Sequence, residues 1–242
     1  MLLNTFSLSN YCYNNLMALV DSLIEEGWLR TPRIIEAFKK IKRVDFLPED
    51  LKNLAELNEA LPIGYGQTIS QPLVVAFMME LLQPEPGEKI LDVGTGSGWT
   101  TALLAEIVSG VHFYDRCRKS KLEKRGKVIG IEIVPELVEF GKKNVSKYNF
   151  IEKGIVEFIC ADGSKGYKKE APFDKILCSA EAKKVPQSWK DQVKVGGKIV
   201  TPIGSSIWLF VKKSKNKFQT KEYPGFRFVP LVTKKTYGRK NF

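Results

Sequence analysis

Hydrophobic positions in the first third of the chain fall at helical spacing. Residues 14–26 place Leu16, Met17, Val20, Leu23 and Ile24 on one face of a helix. A second helix is predicted after Thr31-Pro32, where proline suits a first turn. It carries Ile34, Ile35, Phe38 and Ile41 and is expected to end near Pro48. Residues 61–71, LPIGYGQTISQ, mix glycine with polar residues and read as a loop. The apolar stretch 73–82 predicts a buried helix, closed by a turn at 83–87 that contains Pro84 and Pro86.

Beyond residue 88 short apolar runs alternate with helical stretches. Strands are predicted at 89–93, 128–133, 155–161 and 173–179, and at 198–203 after a Gly196-Gly197 turn. Helices are predicted at 100–108, 135–147 and 186–193. Strand and helix in alternation mean a parallel sheet with crossover helices, an α/β fold. The C-terminal part departs from this rhythm. Residues 207–212 and 226–232 are strand-like with no helix between them, which predicts an antiparallel pair at one side of the sheet. No internal repeat is visible.

Composition narrows the class. The chain has 242 residues, enough for one large domain with a sizeable core. Its 43% hydrophobic and 27% charged residues are ordinary for a globular protein and argue against a disordered or collagenous chain. The longest unbroken apolar run, residues 73–79, is far shorter than the roughly 20 residues that span a bilayer. No charged n-region of a secretory signal precedes Arg30, and the four cysteines (Cys12, Cys117, Cys160, Cys178) form no CxxC pair. A reduced, cytoplasmic setting without a structural metal is therefore expected. The net charge is +11. Residues 212–242 carry ten Lys/Arg against one acid, and residues 110–127 carry seven against two, so the rest of the chain is slightly acidic. These two segments are either solvated basic runs or a polyanion-binding surface; the confinement of charge favours the former over nucleic-acid binding.

The chemistry concentrates at predicted strand ends. Ile90-Leu91-Asp92-Val93-Gly94-Thr95-Gly96-Ser97-Gly98 follows the first strand of the alternating region and opens a helix. Ligands bind at the carboxyl ends of strands in such sheets, and glycines let the backbone turn tightly against them. The spacing is GxGxG, neither the GxGxxG of dinucleotide folds nor a P-loop. Glu132 ends the second strand, where a carboxylate can accept ribose hydroxyls; taken alone it would equally be a surface charge. Asp162-Gly163 follows the third strand, within reach of an adenine edge, or is a plain turn. The three together point to a nucleoside-bearing ligand.

This arrangement resembles the class I methyltransferases that use S-adenosylmethionine. The resemblance implies a Rossmann-like fold with a mainly parallel seven-stranded sheet, antiparallel last strands and an N-terminal helical extension. It places that extension at residues 1–60 and the methyltransferase domain at 61–242. Gly94 and Glu132 lie 38 positions apart, and the basic segment at 110–127 reads as an insertion between the first helix and the second strand.

The resemblance narrows at Leu61-Pro62-Ile63-Gly64-Tyr65-Gly66-Gln67-Thr68-Ile69-Ser70-Gln71-Pro72, which is similar to the signature loop of the protein-L-isoaspartate O-methyltransferases. Arg43-Val44-Asp45-Phe46-Leu47-Pro48 matches that family's Arg-x-x-Phe-x-Pro element, and Phe228-Val229-Pro230-Leu231 resembles its last strand. Similarity runs from about residue 30 to 231. Many family members carry a histidine shortly after GQTIS, where this chain has Leu73 and Val75.

The family resemblance implies transfer of a methyl group from S-adenosylmethionine to the α-carboxylate of L-isoaspartyl residues in damaged proteins, the first step of their repair. It assigns Asp92, Gly94, Thr95, Gly96, Gly98, Glu132, Asp162 and Gly163 to the cofactor, Thr68, Ile69, Val229 and Pro230 to the substrate channel, and Ser70 to orienting the acceptor. Ser70 could also cap the helix that starts at Pro72. The expected partners are isoaspartyl proteins and peptides, and the expected state is a monomer. A carboxylate with a pKa near 4 is already ionised at neutral pH, so no general base is required. A chain whose single histidine, His112, lies in the basic insertion suits that chemistry and not His-dependent hydrolysis. One competing reading keeps the cofactor and changes the acceptor to another protein carboxylate or RNA; another is a catalytically silent binding module that retains the fold, against which the intact glycines, Glu132, Asp162 and Ser70 speak.

Overall fold

The structure, a computed structural model, describes residues 18–110 and 126–234. Leu16, Met17, Cys12, Cys117, His112, most of the basic insertion and the last eight residues of the tail lie outside them.

Among the described residues two short helices come first, α1 (Leu19–Glu25) and α2 (Pro32–Lys40). Proline opens α2, and Ile34, Ala37 and Phe38 make its buried face. The helix stops well before Pro48. Ile41 turns extended (φ −88°, ψ 93°), and a 3₁₀ turn over Arg43–Phe46 follows. The tighter turn buries Ile41, Arg43, Phe46 and Leu47 together. Phe46 then stacks on Tyr148, whose hydroxyl donates to Asp45 (2.7 Å) and accepts from the Lys42 N–H (2.9 Å).

The stretch read as a loop at 61–71 contains a hairpin instead. β1 (Leu61–Gly64) and β2 (Gln67–Ile69) pair antiparallel with Leu61 opposite Ile69. Its strands are very short, and inward-facing Leu61, Ile63 and Ile69 hold it against the rest of the fold. α3 (Pro72–Leu82) follows directly and is buried along most of its length.

The main sheet has the order β5-β4-β3-β6-β7-β8-β9. Its strands are β3 (Lys89–Val93), β4 (Lys127–Glu132), β5 (Val156–Cys160), β6 (Phe173–Cys178), β7 (Val193–Ile203), β8 (Ser206–Ser214) and β9 (Lys217–Pro224). β5 to β7 pair parallel through β4, β3 and β6, while β8 runs antiparallel to β7 and β9. α4 (Trp99–Ser109) and α5 (Pro135–Ser146) cover one face together with α3, and α6 (Gln187–Gln192) covers the other. Successive strand side chains alternate between these faces: Ile90 joins the larger core, Leu91 and Val93 the smaller.

Two strand expectations are corrected. β7 starts at Val193, so Gly196-Gly197 lies inside the strand, where the register against β6 is interrupted between Phe173 and Lys175. Among the described residues the last strand is Lys217–Pro224 and not 226–232. β9 lies at the sheet edge and is largely exposed, so it has no apolar alternation to read, and its lysines suit an unpaired edge. The aromatic alternation at 226–228 serves packing on α3: Phe226 stacks on Phe77 at 5.3 Å, and Phe228 joins the same core. Residues 229–231 make a single parallel bridge to Glu181.

The two flanks of the basic insertion meet at the N-terminal edge of the sheet. Gly126 and Gly87 both donate to the Val108 carbonyl (3.2 and 2.9 Å). Among the described residues no helix is long and apolar enough to cross a membrane.

Candidate active site

Strand order reverses between β4-β3 and β6, and open α/β sheets bind ligands at such a point, beyond the carboxyl strand ends. A cavity lies there, enclosing about 730 Å³ including its open mouth. One wall is the loop after β3, with Gly94, Thr95, Gly96 and Ser97. β2 and the residue after it, Gln67 to Ser70, also line it. Glu132 to Val134, Ala161 with Gly163, Ser179 with Ala180, and residues 229–232 complete the lining.

The glycine loop is tied to its neighbours by backbone bonds. Gly94 and Thr95 donate to the Ile131 carbonyl (2.8 and 3.3 Å), and Gly98 donates to Thr95 (2.8 Å). Gly98 caps α4 at φ +86°, and a Cβ there would lie 2.9 Å from Val145 and 3.1 Å from the Gly141 carbonyl. The loop can therefore settle against α5 only with glycine at this position.

Glu132 is buried and lines the cavity. Its carboxylate accepts from Ile133 N–H (2.7 Å), Val134 N–H (3.1 Å) and Gly96 N–H (3.1 Å). One side chain thus joins the glycine loop to the start of α5. Three of its roughly four acceptor positions are in use, which leaves about one for a ligand hydroxyl.

Asp92 is fully buried behind the loop and does not line the cavity. Its Oδ2 accepts from Thr100 (2.9 Å) and Thr101 (2.7 Å), while its buried Oδ1 has no partner. Burial pushes this carboxyl up to about 6 against the two threonine bonds, and the Glu132 charge adds to the rise. Thr95 Oγ1 is also buried without a partner, in the cavity lining itself.

Asp162 likewise stands outside the lining, whereas its neighbours Ala161 and Gly163 belong to it. Its Oδ1 accepts from Ser164 N–H and Oγ, and its Oδ2 from Lys234 N–H (3.0 Å). Burial opposes its ionisation, but these bonds, with the Lys165 charge, hold the carboxyl below its ordinary range. The side chain caps a 3₁₀ turn (Gly163–Lys165) and anchors the chain near 234. Gly163 is required by close approach: a Cβ would lie 2.5 Å from Val93 Cγ1.

Thr68, Ile69 and Ser70 line the cavity, with Ile69 buried and Ser70 half-buried. The N-cap of α3 is Gln71 and makes no side-chain cap bond, so the Ser70 hydroxyl is not the cap. Val229 and Pro230 line the opposite rim from a segment held by Glu181, whose N–H donates to Val229 O (2.8 Å) and whose carbonyl accepts from Leu231 N–H (2.8 Å).

Of the thirteen sequence-predicted site residues, the cavity lining contains all but Asp92, Gly98 and Asp162, which support it from behind. Sequence reasoning missed Trp99, Ile133, Val134, Ala161, Ser179 and Ala180. All but Trp99, which opens α4, stand within two residues of a parallel strand's carboxyl end, and that position was the available signal. Cys178 at the end of β6 offers no nucleophile, because burial pushes its thiol up to about 12. Among the described residues no group of three or more His, Cys, Asp or Glu could hold a metal ion.

The lining suits an adenosyl-type ligand. It combines a glycine-flanked backbone turn, an unpartnered threonine hydroxyl, a carboxylate with spare acceptor capacity and apolar walls from Val93, Ile131 and Ile133.

Comparison with known proteins agrees. A model of the protein-L-isoaspartate(D-aspartate) O-methyltransferase family matches residues 14–236. The chain is 41% identical over 218 residues to a protein-L-isoaspartate O-methyltransferase of Methanopyrus kandleri, covering 88% of this chain and 89% of that one. It is 43% identical over 202 residues to protein-L-isoaspartate O-methyltransferase 2 of Archaeoglobus fulgidus, covering 82% and 84%. A crystal structure of a Plasmodium falciparum protein of this kind, in complex with S-adenosyl-L-homocysteine, shares the fold with a TM-score of 0.75 at 23% identity, over 88% of this chain and 96% of that one.

Proposed function

The chain belongs to the protein-L-isoaspartate(D-aspartate) O-methyltransferase family, and on that premise we propose how its cavity carries out S-adenosylmethionine-dependent methylation of L-isoaspartyl carboxylates. The observation that carries the reading is the shared cavity: the glycine loop with Glu132 and the Thr68–Ser70 stretch line it together.

S-adenosylmethionine, when bound, supplies a methyl group on a positively charged sulfur. Glu132 would hold a ribose hydroxyl, and Gly94, Thr95 and Gly96 would hold the amino-acid part through backbone groups and the free Thr95 hydroxyl. Ala161 and Gly163 would flank the base, with Asp162 shaping their turn and not touching the ligand. Asp92 and Gly98 support the loop.

Ser70 would orient the acceptor by donating its hydroxyl to one carboxylate oxygen, so that the other oxygen can bond to the methyl carbon as the methyl–sulfur bond breaks and S-adenosylhomocysteine leaves. The acceptor needs no deprotonation, and alignment with exclusion of water is the work left to the protein. Thr68, Ile69, Val229 and Pro230 flank the entering peptide. The methyltransferase domain is residues 61–242 with 1–60 as its helical extension, the setting is cytoplasmic, and the protein acts as a monomer on isoaspartyl proteins and peptides.

The test incubates the full chain with methyl-labelled S-adenosylmethionine and two peptides that differ only in isoaspartyl against aspartyl linkage. Base-labile label on the isoaspartyl peptide alone is expected. Equal labelling of both, or of neither, overturns the proposal.

A further inference from the structure

Arg43 is a buried cation, 5% exposed, and the side-chain hydrogen bonds of its guanidinium go to carbonyls and not to a carboxylate. Its guanidinium spends its donors on main-chain carbonyls instead. Nη1 donates to Ala55 O (3.1 Å) and Leu57 O (2.9 Å), and Nη2 to Glu59 O (2.6 Å) and, at 3.4 Å, to Ser70 O. Its Nε is buried with no partner. The same group lies over the Trp99 ring, 5.6 Å from the centroid. Burial lowers its pKa to about 10, and the charge of Glu56 opposes that change.

Burying a charge that no salt bridge pairs is costly even where carbonyls and a ring receive it, and a core of apolar residues could fill the space without that cost. What only a guanidinium offers is a planar fork that reaches several acceptors at once while its face stacks on an aromatic ring. Two of the groups it joins line the cavity: Ser70, which follows β2, and Trp99, the first residue after the glycine loop. Trp99 is itself wedged against Phe38 at 5.6 Å.

We propose that Arg43 is a positioning residue for methyl transfer, fixing the 55–59 segment and Ser70 relative to the glycine-loop side of the cavity through Trp99. This rests on the reading that Ser70 orients the acceptor. Arg43 touches neither substrate nor cofactor. It acts on Ser70 through the backbone, and a small displacement of an orienting group is expensive in rate.

The experiment compares wild type with R43K and R43Q. Lysine keeps the charge and loses the fork; glutamine keeps a planar donor and loses the charge. Amide exchange is followed over residues 55–71 and over the sheet strands, with kcat and KM for an isoaspartyl peptide and calorimetric binding of S-adenosylhomocysteine. In R43K exchange over 55–71 is expected to speed up about tenfold with the strands unchanged, and kcat to fall about 10- to 100-fold. S-adenosylhomocysteine binding is expected to stay within about threefold of wild type, since the charge and most of the loop are untouched. Unchanged exchange over 55–71, or a kcat within about twofold of wild type, overturns the inference. A matching loss of cofactor binding also overturns it, because Arg43 would then support the whole cavity. If R43K does not fold, R43Q carries the same comparison. A wild-type protein without methyl transfer overturns the functional reading instead, and the exchange data still decide whether Arg43 holds the hairpin side.

Discussion

Replacing Asp92 by asparagine tests the electrostatics behind the glycine loop. The carboxyl is fully buried, and its value is raised from 3.8 to about 6. A group that binds its proton more tightly when folded stabilises the fold most below its unfolded value, and that stability is lost as pH rises through the folded value. The window here is therefore about pH 4 to 6. The gap between the two values corresponds to about 3 kcal/mol lost by neutral pH. Asparagine has no such titration, and its amide oxygen can still accept from Thr100 and Thr101. Its amide nitrogen falls where Oδ1 now has no partner, which adds a cost independent of pH. Urea unfolding of wild type and D92N between pH 4.5 and 8 separates the two effects, because the constant cost offsets the curves and the titration changes their spacing. Stability of D92N relative to wild type is expected to grow by about 2 kcal/mol across that range, most of it before pH 6.5. Parallel curves would refute the claim that burial dominates at this carboxyl.

Three further outcomes follow from the site. Ser70→Ala is expected to lower kcat about 10- to 100-fold with an unchanged melting temperature, since the hydroxyl is not the α3 cap; steady-state kinetics with an isoaspartyl peptide checks it. Glu132→Gln turns one of its two acceptor oxygens, which now hold the Gly96, Ile133 and Val134 N–H groups, into a donor. Its affinity for S-adenosylhomocysteine should fall at least about tenfold by calorimetry. Gly98→Ala forces a left-handed alanine with its Cβ 3.1 Å from the Gly141 carbonyl. A loss of about 2–4 kcal/mol in chemical denaturation is expected from backbone strain and overpacking together.

The carboxylates around the glycine loop divide into support and lining. Asp92 lies in β3 and Asp162 just beyond β5, and both carboxylates bond to neighbouring protein groups and neither lines the cavity. Glu132 does both, holding Gly96 and the start of α5 while facing the cavity.

The chain by itself determined the α/β alternation, the position of the glycine loop and the strand ends that bear Glu132 and Asp162. These follow from local chemistry: a strand buried on both faces is a short apolar run, and a tight turn needs glycine wherever it sits. The GQTIS stretch was legible as a motif, and Gln67 to Ser70 of it line the cavity. Only the tertiary structure decided which carboxylates face inward, because that depends on distant donors such as Lys234 N–H for Asp162. It also decided that β9 is Lys217–Pro224, an exposed edge strand with no apolar face to mark it, while Phe226 was recruited by Phe77 of α3. The hairpin at 61–69 is too short to be read locally and is stabilised by its buried side. Arg43 was visible only as part of a motif. That its charge lies buried between Ser70 and Trp99, 27 positions away on one side and beyond the glycine loop on the other, is a consequence of long-range packing that no local period encodes.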